Sequence, residues 1–410
     1  MKFEYDEALE RSEALRRLCD LWQPEEETET VLLNEAYGRV NAYNVESIAS
    51  LPVIRSSKRD GIAVKSSDFA AGVPDSSNWV YGVNYAQADT GDDFPDEFDA
   101  VIAVEDIKKL PNGGIEFIND ELKVSAGDGV NQSGSIVKKG TRVLKSHQKL
   151  SPEMVAACAI SGIAQLEVVR KCKVAFIPTG SELIPWGSFP ERGQNIESNS
   201  VLVTGLLNQF GAECLAYPVV KDKPELLEAA LARALEAADI VIINGGSSRG
   251  EEDYNSHMLQ CRASYFCHGV RAIPGRPVGM SIINGKPVVN VPGPALAAFL
   301  AIDWLIRGLV DHYYKIVPSK RVCVEAKTGV SISKPAKFER LTRIKLLPDE
   351  CGDFVCVPIS NGLSVPEQLV ESDGMLVLPI GLSEINAGER VTVELLRPLE
   401  LIEASWKRAE

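Results

Sequence analysis

Three stretches of the chain share one pattern, in which an apolar run stops and a turn rich in Gly and Pro follows at once. The runs end at residues 177, 243 and 291, and each turn leads into a segment with helical periodicity. Repeated strand–turn–helix units predict an open parallel sheet, whose ligands bind at the carboxyl ends of the strands. The turns offer free backbone N–H groups close to helix N-termini, which favours an anion such as a phosphate. Neither a P-loop nor a GxGxxG fingerprint accounts for them.

Several other segments have the periodicity or the caps of helices. Apolar positions from Tyr5 to Trp22 recur at helical spacing and predict an amphipathic helix over 4–22, suited to packing or to a dimer contact. Ser151 and Pro152 predict a helix start, and that helix should end near Gly162. Three more helices are predicted: one capped by Ser198 or Asn199 and closed by Gly211, one that begins at Pro224, and a buried one within 294–310.

The residue composition and the predicted secondary structure change along the chain. Residues 45–140 contain short β-like runs among frequent Gly, Asp, Asn and Ser, which indicates a small β-rich domain. A regular α/β pattern begins at Lys173, and Asn284-Gly285 within it predicts a hairpin with a type I′ turn. After about residue 318 the pattern is β-like again. The sequence therefore predicts a multidomain protein with both α/β and β parts.

Composition narrows the classes of function. The chain has 410 residues and a net charge of −14, which disfavours binding to nucleic acid or to a membrane surface. Nine Cys without a CxxC pair, together with four His, argue against a structural zinc site. An odd number of thiols and no targeting pattern favour a reducing cytoplasm. The apolar stretch 294–310 contains Asp303 and Arg307, so it is typical of a buried helix and not of a membrane span.

Seven sequence blocks carry a resemblance that extends over nearly the whole chain. They read LPVIRSSKRDGIAV (51–64), TGDDFPDEFDAVI (90–102), PTGSEL (178–183), GQNIESNS (193–200), NGGSSRGEEDY (244–254), IPGRP (273–277) and VPGPALAA (291–298). In this order they resemble LPxFDNSAMDGYAV, TGAPLPxGADAVV, PTGDEL, GQIxDSNS, SGGVSVGEYDY, KPGKP and LPGNPVSA of the molybdopterin molybdenumtransferase family, which includes MoeA and the E domain of gephyrin.

The resemblance implies an architecture and an activity. The implied domains are a discontinuous helical dimerisation domain (1–44 and 141–172), an inserted β-rich domain (45–140), a molybdopterin-binding α/β domain (173–317) and a C-terminal β-barrel-like domain (318–410). The implied reaction inserts molybdenum from molybdate into adenylylated molybdopterin, with Mg²⁺ assistance and release of AMP. A homodimer that shares its pocket between subunits, and other molybdenum cofactor biosynthesis proteins as partners, are implied as well.

Matching positions give the candidate site residues. Asp60 and Asp253 are the catalytic candidates, although Asp60 could be a turn residue and Asp253 could simply complement a helix dipole. Carboxylates suit Mg²⁺, so the metal candidates are Asp60, Glu182, Glu251 and Asp253. Contacts to the pterin nucleotide are expected from Ser57, Thr179, Gly180, Glu182, Ser198, Asn199, Gly245, Gly246, Ser248, Gly250, Arg276, Pro292 and Gly293.

The departures from the family motifs leave a second function open. Ser135 and Ser181 stand where the family has acids, and Arg276 stands where it has Lys. Basic residues are added in signature loops at Arg55, Lys58, Arg59 and Arg249, which predicts a more positive cleft. The loss of acids favours, as an alternative, a divergent non-catalytic paralogue that binds a pterin or nucleotide as carrier, sensor or scaffold.

Overall fold

The computed structural model describes residues 8–246, 254–318 and 320–406, with only the backbone of Tyr254. The chain forms two compact units, Thr28–Val169 and Met1–Glu27 with Arg170–Glu410. The predicted division into four domains is finer than these two units and stays a prediction.

The smaller unit is built from short strands around three hydrophobic clusters. It contains a three-stranded antiparallel sheet, with Gly61–Val64 between Tyr85–Ala88 and Ala100–Ala103. Antiparallel pairs complete the unit: Thr28–Leu32 with Gln165–Val169, Val45–Glu46 with Arg142–Leu144, Ser56–Ser57 with Val130–Asn131, and Ile107–Lys109 with Ile115–Phe117. Its helix, Pro152–Ile160, starts at the predicted Ser151 cap, whose hydroxyl accepts a hydrogen bond from Met154 N.

The larger unit contains the predicted open sheet. Its six strands lie in the spatial order Glu213–Ala216, Lys173–Pro178, Ile240–Asn244, Lys286–Val291, Gly279–Ile283 and Tyr265–His268. The first four are parallel, and the last two run antiparallel to their neighbours. The reversal occurs at Asn284 and Gly285, whose φ values of 51° and 75° confirm the predicted type I′ hairpin.

Helices of the larger unit pack on the sheet through apolar side chains. Leu227, Leu231 and Ala234 of one helix pack with Ala175 and Ile243 of the strands. The helices of this unit are Arg11–Leu21, Asn199–Phe210, Pro224–Ala237, Tyr254–Arg262, Ala295–Ala301, Arg307–Tyr313, Val365–Glu371 and Leu399–Trp406, with a π-helical turn at Ile302–Ile306. Of the predicted 4–22 helix, the structure shows Arg11–Leu21, and residues 4–7 lie outside the described residues.

The C-terminal part of the larger unit is a closed β structure, as predicted. Its strands lie in the order Ala272–Ile273, Glu339–Pro348, Phe354–Pro358, Cys323–Thr328, Arg390–Leu395 and Gly374–Leu378. A pairing of Gly374–Leu378 with Glu339–Pro348 closes the sheet around a core that includes Ile344, Leu376 and Val393. All nine cysteines are free thiols. Within the described part of the chain, no helix has the length and apolar character that crossing a membrane requires.

Candidate active site

A cleft of ≈ 1650 Å³ opens in the larger unit where the parallel strands end. Thr179 follows one strand, Gly245 the next, and Pro292 and Gly293 the third, and all four line the cleft. Asn199, at the start of the helix Asn199–Phe210, lines it as well. This is the edge at which the repeated strand–turn–helix pattern predicts a ligand.

Amide side chains join the strand ends into one rigid network. Asn199 Nδ2 donates to Asn244 Oδ1 at 2.8 Å and to Gly293 O at 2.7 Å. Asn244 Nδ2 donates in turn to Pro292 O at 2.7 Å, and Thr179 N donates to Asn244 O at 2.8 Å. Because both Asn side chains are more than nine-tenths buried, these bonds fix the orientation of each amide.

Two glycines allow the backbone to turn inside this network. Gly245 has a φ of 120°, and a Cβ atom there would lie 2.6 Å from Thr179 O. Gly246 has a φ of 55°, and its Cβ would lie 2.4 Å from Asn255 Nδ2, which itself donates to Gly245 O at 3.0 Å. Both positions therefore require glycine for conformation and for space.

The helix at the cleft begins differently from the prediction. Ser198 occupies the N-cap but makes no side-chain capping bond, and Asn199 turns its amide toward the strands. The cap comes from Glu197, whose carboxylate accepts hydrogen bonds from Ser200 N at 2.9 Å and from Ser200 Oγ. The residue before the N-cap thus replaces the predicted Ser or Asn cap, which leaves the Asn199 amide available to the site.

The loop after the first strand of the cleft is held by a reciprocal pair of hydrogen bonds. Ser181 N donates to Asp222 Oδ2 at 2.8 Å, and Asp222 N donates to Ser181 Oγ at 3.1 Å. Gly180 N donates to Val220 O at 3.0 Å. Glu182 lines the cleft with an exposed side chain. Ser181, where the family has an acid, therefore joins two loops at the mouth of the cleft.

Four further side chains line the cleft: two lysines, a histidine and a valine. Lys221 and Lys223 are exposed and line the cleft just before the helix Pro224–Ala237. His257 lies on a third helix, Tyr254–Arg262, with its ring nitrogens 3.9 Å from Cys261 Sγ. Val365, from the C-terminal part of the chain, completes the lining.

Two predicted residues belong to the smaller unit. Asp60 is exposed, and Asp60 Oδ1 accepts a hydrogen bond from Thr90 N at 2.7 Å, which lowers the pKa of the Asp60 carboxyl. Ser57 is fully buried, and its hydroxyl bonds to the backbone of Arg59. Asp60 therefore presents an ionised carboxylate, whereas the Ser57 hydroxyl supports its own loop.

The remaining candidates do not lie in the cleft lining or cannot be placed. Arg276 is half-buried with its guanidinium carbon 4.9 Å from the centre of the Phe338 ring, so its contact with a phosphate stays a prediction. The guanidinium of Arg55 lies over Phe94 and donates to Pro95 O at 2.9 Å. Ser248, Arg249, Gly250, Glu251 and Asp253 lie outside the described residues.

The described residues do not form a metal-binding cluster. No group of three or more His, Cys, Asp or Glu side chains converges in that part of the chain. Glu182 is the one described metal candidate in the cleft, and both Glu197 oxygens already accept bonds from Ser200. These carboxylates fit only a Mg²⁺ ion whose other ligands come from elsewhere, such as substrate phosphates or water.

Sequence reasoning missed Glu197, Asn244, Asn255, Lys221 and Lys223. Asn244 ends a buried strand with a polar side chain, so a search for polar residues at strand ends would have found it. Asn255 is the second residue of the helix Tyr254–Arg262, and its position at a helix start after a glycine-rich stretch is the signal that could have found it. Glu197 lies inside a signature block and could have been found as an acid ahead of a helix start. The two lysines gave no signal, because an exposed lysine is usually a solvated charge.

Comparison with known proteins places these features in one family. Residues 4–162 match the model of the "MoeA N-terminal region (domain I and II)", residues 175–312 that of the "Probable molybdopterin binding domain", and residues 325–396 that of the "MoeA C-terminal region (domain IV)". The molybdopterin molybdenumtransferase 2 of Mycobacterium tuberculosis is 28% identical over 89% of this chain and 94% of its own length. The molybdopterin molybdenumtransferase of Bacillus subtilis is 24% identical over 96% and 95%. The crystal structure of the molybdopterin biosynthesis MoeA protein from Pyrococcus horikoshii superposes with a TM-score of 0.80 at 25% identity, covering 95% of this chain and all of that one.

Proposed function

We propose that this chain, which belongs to the MoeA family of molybdopterin molybdenumtransferases, is an enzyme of molybdenum cofactor biosynthesis. The cleft at the carboxyl ends of the parallel strands carries the proposal, because all of its lining residues except Val365 lie within the segment that matches the molybdopterin-binding model. Its size suits a pterin joined to a nucleotide. The relatives named above carry an enzyme's name, and these comparisons give no support to the non-catalytic alternative that the loss of acids left open.

The reaction we propose inserts molybdenum from molybdate into adenylylated molybdopterin and releases AMP. The described residues can contribute to it by binding and positioning. The network of Asn199, Asn244 and Thr179 holds the strand ends rigid, and the glycine turn at Gly245 lets a ligand approach the backbone. Preorganised groups of this kind account for much of catalysis in transfers that need little covalent chemistry from the protein.

A requirement for Mg²⁺ belongs to the same proposal. Glu182 is the described residue best placed to hold the ion, because Mg²⁺ is bound in such sites by one or two carboxylates together with substrate phosphates. When bound, the ion would neutralise charge on the pyrophosphate of the substrate. The cytoplasm, with its reducing conditions, is the location we propose for a protein with nine free thiols.

Molybdenum insertion by the purified protein tests the activity directly. The protein is incubated with adenylylated molybdopterin and molybdate, with Mg²⁺ or with EDTA, and AMP and molybdenum-loaded pterin are measured. The proposal predicts both products in equal amounts and a lower rate in EDTA. Tight binding of the substrate without either product would favour the non-catalytic alternative.

Asp60 offers a second test of the activity. Asp60→Asn keeps an oxygen that can accept from Thr90 N but removes the charge, so it should lower turnover by about 100-fold if the carboxylate stabilises the reacting groups. Asp75→Asn is the matched control, because Asp75 is another exposed turn carboxylate of the same unit, bonded to Ser77 N. Equal turnover in the two variants would make Asp60 a turn residue.

A homodimer stays part of the proposal through the family resemblance. Sedimentation equilibrium at micromolar concentration should then give twice the chain mass of 44.6 kDa. A stable monomer that retains full activity would contradict both the dimer and the shared pocket.

A further inference from the structure

The cleft has a buried acceptor that none of the described groups satisfies. Asn199 Oδ1 has no hydrogen-bond partner, although Asn199 is only 6% exposed. The amide cannot rotate to relieve this, because Asn199 Nδ2 already donates to Asn244 Oδ1 and to Gly293 O. A buried acceptor without a partner is costly, and in a cleft its natural partner is a donor on the ligand.

The surroundings of Asn199 favour a donor over an anion. The neighbouring Glu197 carboxylate is also buried and lines the same cleft. Asn244 Oδ1 and Gly293 O, the other nearby oxygens, are each taken up by Asn199 Nδ2. A phosphate placed here would face the negatively charged Glu197 carboxylate and neutral oxygens that can only accept hydrogen bonds, whereas an N–H group would complete the network.

The exposed rim of the cleft carries positively charged donors, in contrast to the acceptors around Asn199. Lys221 and Lys223 line it, and within the described part of the chain neither has an ion-pair partner. Asp222 lies between them, but its carboxylate accepts from Ser181 N. Both lysines precede a helix of 14 residues, whose N-terminal dipole adds positive potential at the same place.

We propose that the cleft orients its ligand by these two ends: the amino-bearing edge of a heteroaromatic ring donates to Asn199 Oδ1, and a phosphate binds at Lys221 and Lys223. The proposal rests on the proposed function and deepens it, because it assigns a direction to the pterin nucleotide. Both pterin and adenine carry a ring amino group, so the shared chemistry is an amino-substituted heteroaromatic ring. The experiment distinguishes the two sources.

The first arm measures ring selectivity by calorimetric titration. Pterin and lumazine differ by an amino group replaced by a carbonyl oxygen, and AMP and IMP differ in the same way. In at least one pair, the wild-type protein should bind the amino compound about tenfold more tightly than the carbonyl compound. The carbonyl oxygen would face Asn199 Oδ1, and two acceptors cannot form a hydrogen bond. The pair that shows the preference identifies the ring at this end.

Asn199→Ala then assigns that preference to the residue. The amino-over-carbonyl ratio should fall to near one in this variant, and because it is a ratio within one protein, a uniform loss of affinity cancels. Thermal unfolding checks the fold of the variant. Absence of a preference in the wild-type protein, or a preference that survives in Asn199→Ala, would overturn the acceptor end of the proposal.

The second arm measures the phosphate end. The ratio of AMP affinity to adenosine affinity should fall by about fivefold in the double variant Lys221→Met/Lys223→Met, because the charged donors to the phosphate are lost. In the wild-type protein the same ratio should fall as the salt concentration rises, because exposed charge pairs are screened. Lys171→Met is the control, since Lys171 is exposed and precedes the strand Lys173–Pro178 at the other edge of the sheet. An unchanged ratio in the double variant, or an equal fall in the control, would overturn the phosphate end.

The proposed activity and the proposed ligand orientation can be disproved independently. If the ratios behave as expected but no molybdenum is inserted, the orientation stands and the proposed activity is wrong. If insertion proceeds while the ratios are insensitive to Asn199 and to the lysines, the activity stands and the orientation is wrong.

Discussion

The six-stranded sheet has an amino edge, where its parallel strands begin, and a carboxyl edge, where they end. Polar groups at these two edges have opposite arrangements. At the amino edge, Arg170 forks onto Asp239 at 3.0 and 3.1 Å, and Asp239 also accepts from Lys173 N. Tyr314 donates to Gly211 O and accepts from Cys172 N. At the carboxyl edge, a similar network leaves one acceptor, Asn199 Oδ1, without a partner among the described residues.

An unpaired polar group is not enough to mark a site. The Tyr313 hydroxyl at the amino edge is also buried without a partner in the described part of the chain, and burial raises its pKa. Neither Tyr313 nor Arg170 lines the cleft, however, and the ring of Tyr313 faces the Arg170 guanidinium at 5.8 Å. The comparison teaches that a site needs both an unmet bond and room for a ligand, and of these two edges the carboxyl edge has both.

The largest effect should follow from crowding the carboxyl edge. Gly245→Ala would place a Cβ atom 2.6 Å from Thr179 O at a φ of 120°, so the strand end must move. Turnover should fall by about 100-fold, since a shift of about 1 Å in positioned groups costs that much. Molybdenum insertion at saturating substrate measures it.

Gly285→Ala is the control for conformation alone. Gly285 has a φ of 75° with open space where a Cβ atom would lie, so the substitution should cost about 1 kcal/mol of stability and leave turnover unchanged. If Gly245→Ala affected turnover no more than Gly285→Ala does, the close packing at Gly245 would have no role in the site.

Disrupting the amino edge should affect stability and not the site. Asp239→Asn weakens the fork to Arg170, and because these side chains are only 18% and 22% exposed, the free energy of unfolding should fall by about 2–3 kcal/mol. Urea denaturation measures the loss, and AMP affinity should stay as in the parent protein. Asp20→Asn, in an exposed pair with Arg16, should cost less than about 0.5 kcal/mol.

A fall in AMP affinity in Asp239→Asn would contradict the separation of the two edges. The same would be true if this variant were no less stable than Asp20→Asn, because the fork would then add nothing to stability.

The smallest effect is expected at the mouth of the cleft. Ser181→Ala removes the oxygen that accepts from Asp222 N, an exposed bond that water can replace, so stability should change by about 0.5 kcal/mol. Turnover should stay within about twofold of the parent. A larger loss of turnover would mean that Ser181 contacts the substrate and is more than a link between loops.

Much of the fold could be predicted from local pattern, because local chemistry decides it. Gly211 closes its helix with a φ of 89°, Ser151 caps its own, and the Asn284-Gly285 turn sets the hairpin register. The strand Tyr265–His268 was not predicted, because its place as an outermost strand of the sheet depends on pairing with Gly279–Ile283. Pairing between distant segments leaves little trace in a short run of residues.

The candidate site was predictable only in part, because residue type does not give side-chain direction. Thr179, Asn199, Gly245 and Gly293 were found through motifs, and all four line the same cleft. Arg276 was predicted with them, yet its guanidinium lies over Phe338, an aromatic partner distant in sequence. The capping role of Glu197 and the rim lysines depends in the same way on three-dimensional packing.

A crystal structure of the protein with AMP and pterin tests the central claim most directly. We predict ligand density in the cleft of the larger unit, with a ring amino group within hydrogen-bond distance of Asn199 Oδ1 and the phosphate beside Lys221 and Lys223. Well-ordered ligand elsewhere on the molecule, with the cleft at the strand ends empty, would contradict the account.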